Sequence, residues 1–166
     1  MKKLLTFLLA VIISMSFSNL VFAFPQTSPL SNTEYTYFPD GSYIISVIAD
    51  EPSNNNLYTT YARTATKSKT STYYSNSNVK LWYVKVTGTF TYNTKTSTCT
   101  NSKVSAESYS NTWKISNKSA SKSGSTATAS ATATASATAK QYQGVSVLQT
   151  KQETVKLTCD KNGNFS

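Results

Sequence analysis

The sequence predicts an all-β fold, an antiparallel β-sandwich or open barrel of about six strands, preceded by a signal peptide and a small β-hairpin. The main observation is a stretch at 126–139 in which alanine alternates strictly with threonine or serine. In an extended strand, this order puts every methyl group on one face and every hydroxyl on the other. The alternative is a Ser/Thr/Ala-rich linker, because alanine is a poor strand former. Flanking stretches rich in tyrosine, tryptophan and valine favour the strand.

The first 23 residues have the pattern of a secretory signal peptide. Lys2 and Lys3 form a basic start, an almost unbroken apolar run follows at 4–17, and small residues lead to a cleavage site after Ala23. The apolar run is shorter than the roughly 20 residues that a membrane-spanning helix needs. The C-terminal residues at 160–166 offer no apolar tail for attachment. We therefore expect a secreted, extracellular protein without a transmembrane segment once the signal is removed.

Residues 24–49 predict a flexible lead-in and a β-hairpin. The Pro-Asp-Gly turn at 39–41 lies between two strand-like runs, and its glycine suits the positive φ of a tight turn. The polar, turn-rich segment at 50–56 is the predicted linker. The main all-β domain is therefore predicted at 57–166.

Within the main domain, strands are predicted at 62–74, 81–92 and 98–108, and a further strand begins at Trp113. One face of the second strand is apolar and is predicted to be buried: Trp82, Val84, Val86, Gly88, Phe90 and Tyr92. The alanine face is predicted to leave room for these large side chains. The last strand is predicted to bury its apolar odd positions together: Val145, Val147, Val155, Leu157 and Cys159. The polar middle of that face indicates a bulge.

Charge is distributed unevenly along the chain. The formal net charge is +9, but four of the seven acidic residues precede residue 52, and nearly all lysines outside the signal follow it. A basic C-terminal part favours polyanionic partners such as nucleic acid, anionic lipid or phosphate-bearing cell-wall polymers. The absence of histidine removes the commonest metal ligand and the commonest general base.

The most specific binding hypothesis concerns three lysines. Lys114, Lys118 and Lys122 occupy every fourth position, which predicts one strand face with charges roughly 13 Å apart. Such a row would contact an anionic cell-wall polymer or glycan. The alternative is that these lysines protect an exposed strand edge against aggregation. Tyrosines could add a stacking surface, although tyrosine is also common in strands: Tyr58, Tyr61, Tyr73, Tyr74 and Tyr83.

Catalytic residues, cofactors and metal sites are not predicted. Asp50 and Glu51 are adjacent, so on a strand they would face opposite ways. Glu107, Glu153 and Asp160 are each isolated among lysines, which is typical of solubility rather than of acid–base chemistry. No serine has a histidine partner, and no spacing selects a Ser-Lys pair. The sequence therefore predicts a protein that is not an enzyme.

Cys99 and Cys159 are the only cysteines. An even pair in an exported chain predicts a disulfide. Closing a loop of about 60 residues would stabilise the fold by on the order of 4 kcal/mol in the loop-entropy model. The alternative is two free thiols. A metal site is not expected from two soft ligands without histidine.

Several motifs suggest a family resemblance. They are the run from Leu81 to Asn93, Cys-Thr at Cys99, Trp-Lys-Ile-Ser at Trp113, Ser-Lys-Ser-Gly-Ser-Thr-Ala at 121–127 and Leu-Thr-Cys-Asp-Lys-Asn-Gly at 157–163. In these motifs the chain resembles a group of short secreted proteins of Gram-positive bacteria, the clostridia and their relatives. The resemblance covers about two thirds of the chain and implies export and a β domain with paired cysteines. The group has no assigned function, so the resemblance implies no catalytic residue.

Together these observations predict a secreted, non-catalytic β domain that binds the cell envelope or an anionic glycan. A specific nucleic-acid site is not predicted. Two alternatives remain at this point. One is a small membrane-active toxin or bacteriocin, and the other is an extracellular protein that assembles through an exposed strand.

Overall fold

The computed structural model describes residues 33–52, 62–124 and 128–166. The predicted signal peptide, most of the lead-in, residues 53–56 of the linker, Tyr58, Tyr61 and the start of the alanine stretch lie outside these ranges. The described elements are eight strands, β1 (Thr33–Tyr37), β2 (Tyr43–Asp50), β3 (Arg63–Tyr74), β4 (Lys80–Tyr92), β5 (Ser97–Ser108), β6 (Trp113–Ser123), β7 (Ser130–Gln143) and β8 (Ser146–Asp160). Within these ranges, no helix has the length and apolar character that crossing a membrane requires.

The strands form two antiparallel sheets, which confirms the predicted fold class. One sheet has the order β1-β2-β3-β4-β5, and the other has the order β6-β7-β8. β2 pairs with β3 along its whole length, from Tyr43 opposite Tyr74 to Asp50 opposite Lys67. The hairpin is therefore part of the five-stranded sheet, whereas the sequence interpretation set it apart at a linker. Its two strands extend the sheet on the far side of β3.

The core lies between the two sheets and follows the predicted alternation. β4 buries Trp82, Val84, Val86 and Phe90. The facing strand β7 buries its alanines: Ala131, Ala133, Ala135, Ala137 and Ala139. The sheets approach so closely that a Cβ built on Gly88 would lie 2.8 Å from the Cβ of Ala133. Small side chains on both strands thus allow the contact, with the large rings placed to either side of it.

One end of the core is aromatic. The rings of Tyr73 and Trp82 stack with centroids 4.9 Å apart, and the Trp113 ring lies 6.0 Å from that of Trp82. Lys151 of β8 places its ammonium 5.4 Å from the centre of the Tyr73 ring. These contacts join β3 and β4 of one sheet to β6 and β8 of the other, so they hold the sandwich together at this end.

The prediction for the last strand was wrong at two positions. Val145 is 97% exposed and Val147 is 48% exposed. Gln141 pairs with Gln149 but Tyr142 pairs with Val147, so β8 carries one extra residue at this point. The bulge turns Val147 to the opposite face from Val155, Leu157 and Cys159, which are buried as predicted.

The predicted disulfide is not formed in the structure, in which Cys99 and Cys159 are free and buried. They belong to different sheets, since Cys99 lies on β5 and Cys159 on β8. The thiol of Cys99 donates to the carbonyl of Asn101 at 3.2 Å, and that of Cys159 donates to the carbonyl of Asp160 at 3.4 Å. Burial raises the pKa of both thiols.

Candidate functional site

A bulge in β6 decides where its lysines point. Ser116 pairs with Thr138 on β7, whereas Ser119 pairs with Ser136, so β6 has one residue more than its partner between these pairs. Asn117 lies in this bulge with a φ of 50°. Asparagine adopts such a positive φ more readily than most residues. The extra residue reverses the faces of β6 beyond this point.

The three predicted lysines therefore do not share a face, and that part of the prediction was wrong. Lys114 pairs with Lys140, whose neighbours along β7 on that side are hydroxyl residues. Lys122 pairs with Ala133 on the alanine side, and its ammonium donates to the carbonyl of Thr100 on β5 at 2.6 Å. Lys118 lies within the bulge, has no strand partner in the register and is exposed.

The outward side of the three-stranded sheet carries mainly hydroxyl groups, and we call it the hydroxyl face. Three lysines also lie on it, namely Lys114, Lys140 and Lys156. Its serines and threonines on the strands are Ser116, Ser119, Ser121, Ser123, Ser130, Thr132, Thr134, Ser136, Thr138, Thr150, Thr154 and Thr158. Cross-strand pairs link several of them, for example Ser136 Oγ and Thr154 Oγ1 at 3.0 Å. The alternation of β7 thus produces both the alanine core and this surface.

A cleft of about 290 Å³ opens on the hydroxyl face beside the β6 bulge, and we call it the hydroxyl cleft. Its lining includes Asn117, Thr138, Gln152 and Thr154. Asn117 Nδ2 lies 3.5 Å from Thr138 Oγ1, so the bulge brings an amide over β7. The side-chain amide of Gln152 makes no hydrogen bond within the described ranges. The cleft therefore offers both donors and acceptors to a ligand.

Lysines lie on both sides of the hydroxyl cleft along the strands. Lys140 is two residues from Thr138 on β7, and Lys156 is two residues from Thr154 on β8. Lys156 pairs with Thr134 on β7, which is six positions from Lys140 along that strand. This corresponds to roughly 20 Å at strand rise. Lys114 is adjacent to Lys140 on the next strand, and its ammonium lies 5.2 Å from the centre of the Tyr142 ring.

Two carboxylates belong to the same sheet, and within the described ranges neither forms an ion pair with these lysines. Glu153 also lines the hydroxyl cleft, from the alanine side of β8, and burial raises the pKa of its carboxyl group while the hydroxyl of Ser71 on β3 opposes that rise. Asp160, at the far end of the hydroxyl face, accepts from the backbone N–H groups of Asn162 and Asn164, both at 2.8 Å. The side-chain amide of Asn164 also donates to it, at 2.8 Å; this hydrogen bond lowers the pKa of Asp160 most, and the backbone hydrogen bonds lower it further and fix the carboxylate within a turn.

On the five-stranded sheet, in contrast, several lysines form ion pairs with carboxylates. Lys67 pairs with Asp50 at 2.9 Å and Lys69 with Glu34 at 3.0 Å. Lys85 pairs with Glu51, and this contact lowers the pKa of the glutamate. The acidic residues, which are concentrated before residue 52, therefore neutralise lysines of the five-stranded sheet and, among the described residues, not those of the three-stranded sheet. Acids of the N-terminal strands neutralise lysines of β3 and β4, and the hydroxyl face keeps its positive charge.

Of the predicted stacking tyrosines that the structure describes, none lies on the hydroxyl face. Tyr73 is buried in the core, and Tyr74 stacks on Tyr43 with centroids 5.0 Å apart on the outward side of the five-stranded sheet. Tyr83 lies on that same side and contacts Tyr109 at 5.7 Å. In the described parts of the chain, no three histidine, cysteine or acidic side chains gather as metal ligands would.

The fold and the site define a two-sheet antiparallel β-sandwich with a basic, hydroxyl-rich face. Comparisons of the chain with protein-family models, with curated proteins and with solved structures gave no match.

Sequence reasoning missed Asn117, Lys140, Gln152 and Lys156. Lys140 could have been found, because it continues the even-numbered hydroxyl positions of the alanine strand by one step. Gln152 and Lys156 could also have been found, because they fall on the even positions opposite the predicted buried face of the last strand. Asn117 required the bulge in β6, which appears only in the pairing between strands.

Proposed function

We propose that this protein is a secreted, non-catalytic β domain whose hydroxyl face binds an anionic glycan, such as a phosphate-bearing polymer of the bacterial cell envelope. The observation that carries the proposal is the hydroxyl cleft, which is lined mainly by amides and hydroxyls, with the carboxyl group of Glu153 beside them, and lies between Lys140 and Lys156. Secretion rests on the signal-like pattern of the first 23 residues.

The chemistry of the face fits both parts of such a polymer. Serine, threonine, asparagine and glutamine side chains donate and accept, and so do the hydroxyl groups of sugars. Lysine ammonium groups attract phosphate, sulfate or carboxylate groups as point charges. An extended chain of linked sugars laid along β7 would meet Lys140, the hydroxyl cleft and the level of Lys156 in that order.

The expected binding is salt-sensitive. Lys114 and Lys156 are exposed and Lys140 is partly buried, so each ion pair with a ligand contributes at most about 1 kcal/mol. Salt screens such exposed charges over about 8 Å at physiological ionic strength. Removing all three lysines should therefore weaken binding by at most about 3 kcal/mol, and most strongly at low salt.

The test is retention on purified cell walls and on immobilised heparin in a salt gradient. The variant K114Q/K140Q/K156Q should elute at clearly lower salt than the unmodified protein. The matched control K80Q/K95Q/K103Q removes the same charge from exposed positions of the other sheet and its turns. The control should elute close to the unmodified protein. Equal losses in both variants would show that net charge alone is responsible, and would contradict a site on the hydroxyl face.

A second candidate, self-assembly, is favoured by β1. Among the described strands, β1 pairs only with β2, which leaves its other edge open. Its tyrosines are prominent, since Tyr35 is 57% exposed, Tyr37 is 72% exposed, and their rings lie 6.3 Å apart. An open edge with exposed aromatic rings can pair with another chain. Light scattering that rises with concentration, and that falls on replacing Tyr35 by lysine, would support assembly, and monomers at every concentration would exclude it.

A further inference from the structure

A second cleft, unconnected with the hydroxyl face, opens at the aromatic end of the sandwich, and we call it the end cleft. Its volume is about 210 Å³. Two turns contribute Asp40 and Asn76, and the strands β6, β7 and β8 contribute Trp113, Gln141 and Gln149. It therefore lies where the loops of the five-stranded sheet meet the ends of β6, β7 and β8.

The wall of the end cleft is aromatic and fixed. Tyr73 and Trp113 line it, and their rings lie 5.8 Å apart. Trp82 lies directly behind them, stacked on Tyr73. The hydroxyl of Tyr73 donates to Ser42 Oγ at 2.8 Å, and Ser42 in turn donates from its backbone N–H to Asp40 Oδ1 at 3.0 Å. The rings and the carboxylate are thus linked by hydrogen bonds before any ligand arrives.

Polar groups on the rim retain unused hydrogen-bonding capacity. Gln149 Nε2 donates to Gln141 Oε1 at 2.6 Å, which leaves the other amide atom of each side chain without a partner in the described chain. Asp40 Oδ2 also has no hydrogen-bond partner in the described chain, because both hydrogen bonds from Ser42 reach Oδ1. The free groups are a donor on Gln141 and acceptors on Gln149 and Asp40. Such a mixture complements hydroxyl groups, each of which both donates and accepts.

The charge of the end cleft is balanced. Asp40 supplies one carboxylate, whose pKa is lowered first by the hydrogen bonds from Ser42 and also by the charge of Lys151. Lys151 does not line the cleft, but its ammonium lies 5.4 Å from the centre of the Tyr73 ring, which does. An anionic ligand would meet the carboxylate, and the nearby ammonium offsets the charge that would attract a cation. The end cleft therefore suits a neutral ligand, unlike the hydroxyl face. Its volume is below the roughly 300 Å³ at which pockets for drug-sized ligands begin, so it suits a single ring.

From this arrangement we propose that the end cleft binds one neutral sugar ring, a hexose or an N-acetylhexosamine, through Gln141, Gln149 and Asp40 against the wall formed by Tyr73 and Trp113. The ring is either a free sugar or the end of a longer glycan. This binding is independent of the hydroxyl face and of its lysines.

The test uses the chain's own tryptophans as reporters, since there are only two, and Trp113 lines the cleft while Trp82 lies behind it. Glucose, N-acetylglucosamine and their methyl glycosides are titrated through the millimolar range while tryptophan fluorescence and ligand-observed saturation-transfer NMR are followed. We expect a saturable signal with at least one of these sugars. Gln149→Met and Gln141→Met should each weaken it about tenfold, since each removes a hydrogen bond.

Gln143→Met is the control, because Gln143 is exposed at the end of β7 and does not line the end cleft. It should leave the affinity unchanged. Trisaccharides separate the two sources of the ring. Tighter binding than the methyl glycoside indicates a chain end, and equal binding indicates a free sugar. No saturable signal by either method, or a signal equally strong in Gln149→Met and Gln141→Met, would overturn the proposal. The variant K114Q/K140Q/K156Q should keep its sugar affinity, so this test and that of the hydroxyl face fail separately.

Discussion

Lys114 and Lys122 project from opposite faces of β6, although they are an even number of residues apart. Lys114 pairs with Lys140 on the hydroxyl face, and Lys122 pairs with Ala133 on the core side. The single extra residue near Asn117 causes the reversal. A bulge therefore decides which lysines form the basic surface, and it also supplies the amide that lines the hydroxyl cleft.

The reversal predicts different effects for two single substitutions. Lys140→Gln removes a cation from the hydroxyl face and should lower the salt concentration at which the protein elutes from heparin. Lys122→Gln should have a smaller effect, because the ammonium of Lys122 is directed to the carbonyl of Thr100 on β5. Both variants have the same net charge, so each is the control for the other. A larger shift for Lys122→Gln would contradict the assignment of the face.

The close approach of the two sheets predicts a strict size limit on β7. Ala133 is fully buried against Gly88 and the Phe90 ring, so leucine has no space there. Ala133→Leu should lower the free energy of unfolding by roughly 1–3 kcal/mol, as measured by urea titration. Ala120→Leu is the control, since Ala120 lies on the same side of the sheet but is exposed. An unchanged stability of Ala133→Leu would argue against the packing of alanine on β4.

The burial of Glu153 predicts that the stability of the fold depends on pH. Burial raises the pKa of its carboxyl group above the ordinary value, so the folded state holds this proton more tightly than the unfolded state. The group's contribution to stability is present at pH below the unfolded pKa and is lost as pH rises through the folded pKa. Glu153→Gln should therefore raise the melting temperature at pH 7, and the gain should disappear on acidification. Glu107→Gln, at an exposed position of β5, should show no such gain.

The burial of both cysteines predicts slow reaction of their thiols in the native protein. Cys99 and Cys159 are buried, and burial raises the pKa of both thiols, so the native protein should react slowly with an aromatic disulfide reagent. After unfolding in denaturant, both thiols of the reduced chain should react. Unfolded protein with no reactive thiol until a reductant is added would contradict the free thiols of the structure.

Much of the fold was predictable because one periodicity runs through it. The alternation on β4 and β7 assigned their buried faces correctly, since a strand buried on one side has a period of two. The errors arose at the two bulges, where that period is interrupted by one residue. Nothing in Ser116, Asn117 or Lys118 marks the interruption except the tolerance of asparagine for positive φ. The sequence therefore predicted the wrong face for the part of β6 after its bulge, which includes Lys122, and for the part of β8 before its bulge, which includes Val147.

Residue-by-residue mapping of the contacts shows whether the hydroxyl face binds an anionic glycan. An isotope-labelled sample is titrated with a heparin-derived oligosaccharide while backbone amide chemical shifts are followed by NMR. We expect the largest shifts along β6, β7 and β8, at Lys114, Asn117, Thr138, Lys140 and Thr154. Shifts concentrated on the outward side of the five-stranded sheet, or no shifts at low salt, would contradict it.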